Sequence, residues 1–280
     1  DMLRSYDRKL DQRLFSDIDL RYVRGFDMFL QKRSCCGNTR KFYFKALRAI
    51  LNRANAEGVG SVATYPFGRG GFEVSKLEEA TAKRYLPAAE LSKLKSATAN
   101  NPQCEYARKL FLFSYYCYGI SFIDMAMLTA AHIKQMEDGD YIVYKRQKIK
   151  RQKGVKPISI KITPAIRQLI ESLQAASPTV DDFLLPVVTR SGYTGERLYM
   201  HIRTRYSKYQ KYLRLLAEEL GIDFHLTSYV SRHTAAMTLQ RNHIPREVIS
   251  QMLGHADLET TNVYLDSFDN GVINEAAKVL

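Results

Sequence analysis

The chain has 280 residues, of which 45% are hydrophobic and 25% charged, so it is long enough for one large or two modest domains with apolar cores. Its 42 lysines and arginines against 29 aspartates and glutamates give a formal net charge of +13 at pH 7. A charge of this size favours a polyanionic partner, and no apolar run reaches the roughly 18 residues of a membrane span. We therefore expect a soluble, cytoplasmic protein that binds nucleic acid and has no membrane partner.

Cysteine and histidine give no sign of a metal site. The four cysteines, Cys35, Cys36, Cys104 and Cys117, do not form a paired Cys-x-x-Cys pattern of the kind that holds zinc. The six histidines do not stand at a ligand spacing on one predicted helix either. We expect reduced structural thiols and no metal.

The first part of the chain is predicted to be helical. Apolar residues recur at three- and four-residue spacing from Asp17 to about Gly60, with Asn38-Thr39 as a cap of the second helix and Glu57-Gly58 as its end. Three glycines and a proline make Tyr65–Gly71 a loop. The mixed, charged segment that follows predicts a domain boundary near Tyr85, which gives a first domain of residues 1–84 and a second of residues 85–280.

The second domain is predicted to combine helices with a β-hairpin. The hairpin covers Tyr141 to Ile162, because β-prone residues flank a turn at Gly154. Helices are predicted at Glu105–Tyr118, which Gly119 ends, from Thr163-Pro164 onward, at Tyr199–Leu220 and at Pro245–Gly254. The fold class is therefore mainly α with a small β-sheet.

Three short segments near the end of the chain carry the chemistry. They are Tyr229-Val-Ser-Arg232-His233-Thr234, Leu253-Gly254-His255 and Thr260-Thr261-Asn262-Val263-Tyr264. Transfer of a phosphodiester needs a nucleophile, cations that stabilise the phosphorane and an acid for the leaving oxygen. The order and spacing of Arg232, His255 and Tyr264 resemble those of the tyrosine recombinases, the phage integrase family.

The resemblance implies a fold and a reaction. Tyrosine recombinases pair a helical, SAM-like core-binding domain with a catalytic domain, which matches the predicted order of elements over nearly the whole chain. The implied function is site-specific recombination of double-stranded DNA (integration, excision or inversion, as in mobile elements) through a 3′-phosphotyrosine, without a cofactor. We expect a homotetramer on DNA, a monomer when free and a place at the nucleoid. Because the chain starts inside a helical region, we also expect that N-terminal residues are missing.

The resemblance also assigns roles to individual residues. Tyr264 is the expected nucleophile, Arg232 the second catalytic arginine and His255 a donor to the phosphate. The family carries its catalytic lysine on a hairpin of this kind, which makes Lys148 the candidate general acid, although Lys145, Lys150 and Lys153 are neighbouring alternatives. Tyr229 stands where the family usually has a histidine.

The largest departure from the family concerns the first catalytic arginine. In the segment Gly119-Ile-Ser121-Phe-Ile-Asp-Met125, the arginine's usual position holds Ser121. The nearest arginine upstream, Arg108, is the candidate replacement. The loss leaves open a second interpretation, a catalytically weakened relative that only binds DNA. A third, a type IB topoisomerase, is disfavoured by the compact helical first domain.

Basic residues on both predicted domains are candidates for contacts with DNA phosphates. The set comprises Arg40, Lys41, Lys45, Arg146, Lys150, Arg151, Arg203, Arg205 and Lys208. The tail from about residue 266 is predicted to form a small amphipathic helix that packs either on its own chain or on a neighbouring protomer.

Overall fold

The computed structural model describes residues 1–79, 84–254 and 261, and the chain divides into two compact units, Asp1–Ala82 and Lys83–Leu280. In the described residues, helices dominate and one three-stranded sheet is present. The fold class predicted from the sequence is therefore confirmed. No described helix is both long enough and apolar enough to cross a membrane.

The first unit is built on two long helices. They are α2 (Leu20–Lys32) and α3 (Gly37–Ala56), and a short helix α1 (Met2–Tyr6) precedes them. Asp19 caps α2, because its side chain accepts a hydrogen bond from the Tyr22 amide at 2.8 Å. Aromatic rings form the core, with Phe26 and Phe44 in edge-to-face contact at 5.5 Å between centroids.

The start of α3 differs from the prediction. Cys36 precedes the helix, and Asn38 lies inside its first turn rather than at a cap position. The Asn38 side chain donates to the Glu79 carbonyl at 2.6 Å and accepts from the Glu79 amide at 3.2 Å. Its amide therefore pairs with backbone far along the chain, which a local cap rule does not consider.

Helices surround one central helix in the second unit. In chain order they are α4 (Ala88–Ser96), α5 (Pro102–Tyr116), α6 (Phe122–Ala126), α7 (Pro164–Ala176), α8 (Gly195–Glu219), α9 (Ser228–Arg241) and α10 (Arg246–Leu253). Helix α5 is buried along most of its length and contacts α7, α8 and α9. Thr163 caps α7 as predicted, and Gly254 ends α10 in the left-handed conformation.

The sheet contains the predicted hairpin and one additional strand. Strands β1 (Ile133–Met136), β2 (Gly139–Tyr144) and β3 (Ile158–Lys161) are antiparallel in the order β1-β2-β3. The register pairs Ile142 with Ile160 and Tyr144 with Ile158. The hairpin is confirmed, and residues 145–157, including Gly154, form its connection. The sequence pattern does not predict β1, which is short and mostly exposed.

Candidate active site

Arg232 lies buried at the junction of three segments. Only 4% of the surface of Arg232 is exposed to solvent. Nη1 donates to the Gly119 carbonyl at 3.0 Å, and Nη2 donates to the Leu253 carbonyl at 2.6 Å. The guanidinium of α9 therefore connects the turn after α5 with the end of α10. A planar, permanently charged group held in this way is preorganised for a phosphate.

The turn after α5 allows α9 to come close. Gly119 has φ +72°, and a Cβ added to it would lie 2.5 Å from the Cβ of Arg232. Next to this contact, the hydroxyls of Ser114 and Ser231 form a buried hydrogen bond of 2.7 Å. Small side chains on both helices thus bring the backbone of Arg232 against α5.

The C-terminal end of α10 receives a second arginine. Arg146 Nη1 donates to the Gly254 carbonyl at 3.2 Å. A Cβ on Gly254 would collide with Ile158 and would lie 3.3 Å from Arg146 Cδ. Two guanidinium groups therefore approach the carbonyl-rich, partially negative end of one helix.

Ser121 is tied to the hairpin connection through Asp124. The Ser121 hydroxyl donates to Asp124 Oδ2 at 2.6 Å and caps α6. Asp124 Oδ1 accepts a hydrogen bond of 2.7 Å from the amide of Gln147. Asp124 is 3% exposed, so this carboxylate is a buried link between position 121 and the connection of residues 145–157.

Tyr144 is a buried tyrosine on which the charges of Asp124, Arg232 and Arg146 all act. Burial raises the pKa of its phenol far above the usual value, and the negative charge of Asp124 raises it further. The positive charges of Arg232 and Arg146 act in the opposite direction on the same pKa. The hydroxyl therefore lies within the fields of both guanidinium groups and of the carboxylate.

Of the other predicted catalytic residues, the structure describes Lys148 and Tyr229. Lys148 is exposed in the connection between β2 and β3. Tyr229 is 55% exposed on α9, with its ring 5.2 Å from that of His233. His255 and Tyr264 lie outside the described residues.

Arg108, the predicted replacement for the first arginine, lies on α5 in an ion pair with Glu105. Its Nε and Nη2 donate to the Glu105 carboxylate at 2.8 and 2.7 Å, and its Nη1 donates to the Leu94 carbonyl at 2.7 Å. All three guanidinium nitrogens are thus occupied by α4 and α5. Arg108 also lies roughly 12 Å along the helix axis from the C-terminal end of α5.

The predicted DNA contacts of the first unit are of two kinds. Arg40 donates to both carboxylate oxygens of Asp27 at 3.0 Å, and Lys41 donates to Glu78 at 2.6 Å. Their side chains are only 16% and 17% exposed. Lys45 is exposed. The hydrogen bond from Lys41 lowers the pKa of the Glu78 carboxyl, and the charge of Lys45 adds to this effect. The contact prediction is therefore stronger for Lys45 than for the two ion-paired cations.

The predicted DNA contacts of the second unit are mostly accessible. Lys150 and Arg151 are exposed in the hairpin connection, and Arg203 and Lys208 are exposed on α8. Arg205 is half-buried, because its Nε donates to the Val187 carbonyl at 3.2 Å. No group of His, Cys, Asp or Glu side chains in the described part of the chain could hold a metal ion.

Family comparisons agree with this architecture. The phage integrase family model matches residues 84–270, and the model of the phage integrase SAM-like domain matches residues 1–73. A SAM-like helical domain followed by an integrase domain matches the two units of this chain. The chain belongs to the phage integrase family, and the resemblance to tyrosine recombinases is confirmed.

Individual relatives are more distant. Tyrosine recombinase XerD of Halalkalibacterium halodurans is 41% identical over 54 residues, a match that covers 19% of this chain and 18% of that protein. The Tn1549 transposon integrase in complex with a circular intermediate DNA has a TM-score of 0.65 at 12% identity, over 95% of this chain and 86% of that one. The XerH site-specific recombinase bound to a palindromic difH substrate has a TM-score of 0.66 at 18% identity, over 94% and 73%. These two structures share the fold.

Replacing Gly119 by alanine tests the close approach of α9. Gly192 has nearly the same φ, +71°, but open space around its Cβ position, so it is the matched control. We expect Gly192→Ala to cost about 1 kcal/mol of stability from backbone strain alone. Gly119→Ala should cost a further ~1–3 kcal/mol, because its methyl group presses on Arg232. Urea unfolding measures both, and equal midpoints for the two variants would contradict the packing argument.

Proposed function

We propose that the chain is a site-specific DNA recombinase that exchanges strands through a covalent 3′-phosphotyrosine. The observation that carries the proposal is the geometry of Arg232, a buried guanidinium fixed by the carbonyls of Gly119 and Leu253. One of these two carbonyls, that of Leu253, lies at the C-terminal end of α10. Membership of the phage integrase family supports the same reaction.

The reaction needs no external energy source. The phenol oxygen of Tyr264 attacks the scissile phosphorus, a P–O bond to tyrosine forms, and the bond to the 5′ oxygen breaks. Lys148 gives its proton to that 5′ oxygen. The 5′ hydroxyl of a second strand then attacks the phosphotyrosine, which restores a phosphodiester and releases the phenol. The covalent intermediate conserves the bond energy, so ligation requires no cofactor.

The phosphate-binding residues act during both steps. Arg232 stabilises the charge on the nonbridging oxygens, and its two backbone partners hold the guanidinium plane in place before the substrate arrives. His255 and Tyr229 donate hydrogen bonds to the phosphate.

Both units and several protomers take part. The first domain, residues 1–84, binds DNA through cations such as Lys45, and the catalytic domain, residues 85–280, adds those of α8. Double-stranded DNA is the substrate, and four protomers exchange strands through a Holliday junction. The chain acts at the nucleoid, where this substrate is found.

The absence of the first arginine supports one alternative function. Since Ser121 occupies its position, a protein that binds DNA without cleaving it is the second candidate. It would bind DNA tightly and with strong salt dependence but would form no covalent adduct under any condition.

Trapping the covalent intermediate decides between the two candidates. Nicked duplexes built from repeats beside the gene release the cleaved 5′ end, so an adduct accumulates. We expect a denaturant-resistant protein–DNA band for the wild type and none for Tyr264→Phe, with DNA affinity changed only severalfold. Tyr141→Phe, which removes a hydroxyl bonded to Asp138, is the control and should keep the band. An adduct with Tyr264→Phe would refute the nucleophile assignment, and binding without any band would favour the second candidate.

Salt dependence tests the DNA contacts. Arg203 is exposed on α8, and we expect Arg203→Gln to reduce the slope of log K against log salt by about one. Arg40→Gln should instead lower thermal stability, because it leaves the buried Asp27 carboxylate without its cation. Fluorescence anisotropy at several salt concentrations and thermal unfolding measure the two effects. An unchanged slope for Arg203→Gln would exclude a phosphate contact there.

A further inference from the structure

Arg146 and Arg232 hold consecutive carbonyls at one end of α10. Arg232 Nη2 is 2.6 Å from the Leu253 oxygen, and Arg146 Nη1 is 3.2 Å from the Gly254 oxygen. Consecutive Cα atoms are about 3.8 Å apart. With the two hydrogen-bond lengths added, the two donor nitrogens lie within about 10 Å of each other. Two nitrogens that bind opposite sides of one phosphate are about 8 Å apart at ordinary hydrogen-bond lengths. At the end of α10, the two guanidinium groups are therefore close enough together to bind one phosphate.

The backbone next to Arg146 is fixed from position 121. The Gln147 amide donates to buried Asp124, and Asp124 accepts a second hydrogen bond from the Ser121 hydroxyl. The stem of Arg146 also packs beside Gly254, where a Cβ would lie 3.3 Å from its Cδ. Ser121 is thus the first link of a chain of hydrogen bonds, Ser121–Asp124–Gln147, that ends beside Arg146.

The neighbouring cations differ from Arg146 in this respect. Lys148, Lys150 and Arg151 belong to the same connection and are exposed, whereas Arg146 is half-buried. Like Arg232, Arg146 acts to lower the pKa of the buried Tyr144 phenol through its positive charge. Its position therefore distinguishes it from a phosphate contact on the surface.

We propose that Arg146 supplies the second guanidinium of the active site, in place of the arginine that position 121 lacks, and that Ser121 and Asp124 are its positioning residues. The inference rests on the proposed recombinase function. In this arrangement Arg232 and Arg146 each bind a nonbridging oxygen of the scissile phosphate. They share the charge that develops when the tyrosine oxygen attacks and the 5′ oxygen leaves.

The first experiment removes the charge from either the protein or the phosphate. Wild type, Arg146→Ala and Arg146→Lys are compared on nicked duplexes that carry either a phosphate or a methylphosphonate at the scissile position. A methyl group in place of one nonbridging oxygen removes the negative charge that the second guanidinium would neutralise. We expect Arg146→Ala to cleave the phosphate on the order of a hundred- to a thousandfold more slowly. Its deficit should largely disappear with the methylphosphonate, and Arg146→Lys should lie between.

The control and the outcomes separate this inference from the function on which it rests. Arg151→Ala removes an exposed arginine from the same connection, and any loss it causes should be the same on both substrates. An equal loss for Arg146→Ala on both substrates, at unchanged thermal stability, would show a positioning or binding role and overturn the proposal. So would the absence of any loss. If the wild type cleaves neither substrate, the recombinase function itself fails, and the proposal fails with it.

Substitution of Ser121 gives opposite expectations for the two views of this position. If the site simply lacks an arginine, Ser121→Arg should raise the rate of adduct formation. If Arg146 already supplies that charge, the larger side chain breaks the bond to Asp124, and the rate should fall at least tenfold with little change in DNA affinity. Asp124→Asn should show the same loss in rate at saturating DNA, again reduced with the methylphosphonate. A rate increase with Ser121→Arg would overturn the proposal.

Discussion

Burial of the charged Arg232 side chain is the constraint on which the catalytic unit depends. A guanidinium this far from water is costly unless backbone oxygens take the place of its hydration. The carbonyls of Gly119 and Leu253 do so, and they belong to the ends of two different helices. The same two hydrogen bonds therefore hold α5, α9 and α10 together and orient the group for a phosphate, so stability and site geometry cannot be changed independently at this residue.

The segment from Gly119 to Asp124, where the resemblance places the first arginine, connects α5, α6 and α9. Gly119 is the contact surface for the backbone of α9, and Ser114 pairs with Ser231 across the same interface. Two residues further on, Ser121 binds Asp124, whose buried carboxylate would need a partner in any arrangement of this turn. Position 121 is thus part of a satisfied hydrogen-bond network, and a serine there is consistent with a functional site.

Local patterns predicted the helices and the hairpin well because their signals are contiguous in sequence. Periodic apolar residues marked α5, the Thr163-Pro164 pair marked the start of α7, and Gly254 marked the end of α10. The same rules failed where a distant partner decided the outcome. Asn38 bonds to Glu79 instead of capping α3, and β1 depends on its pairing with β2 rather than on its own exposed residues.

The site shows the same division between local and distant information. Motif spacing identified Arg232, and the structure shows it buried between two carbonyls. Motif spacing does not distinguish Arg146 from the other cations of its segment, because the hydrogen bond to Gly254 joins residues far apart in sequence. Arg108 is the nearest upstream arginine along the chain, yet Glu105, one helical turn away, binds its guanidinium.

A guanidinium carried by the hairpin connection has a mechanical consequence that an arginine at position 121 would not have. Lys148, the proposed acid, follows Arg146 on the same segment, and both lie next to the Gln147 amide that Asp124 holds. One buried carboxylate would then place the group that stabilises the phosphorane and the group that protonates the leaving oxygen. The two functions would change together when that anchor is disturbed, whereas Arg232, fixed by α5 and α10, would keep its position. The site would therefore have one arginine fixed by the helical core and one whose placement depends on the anchored connection.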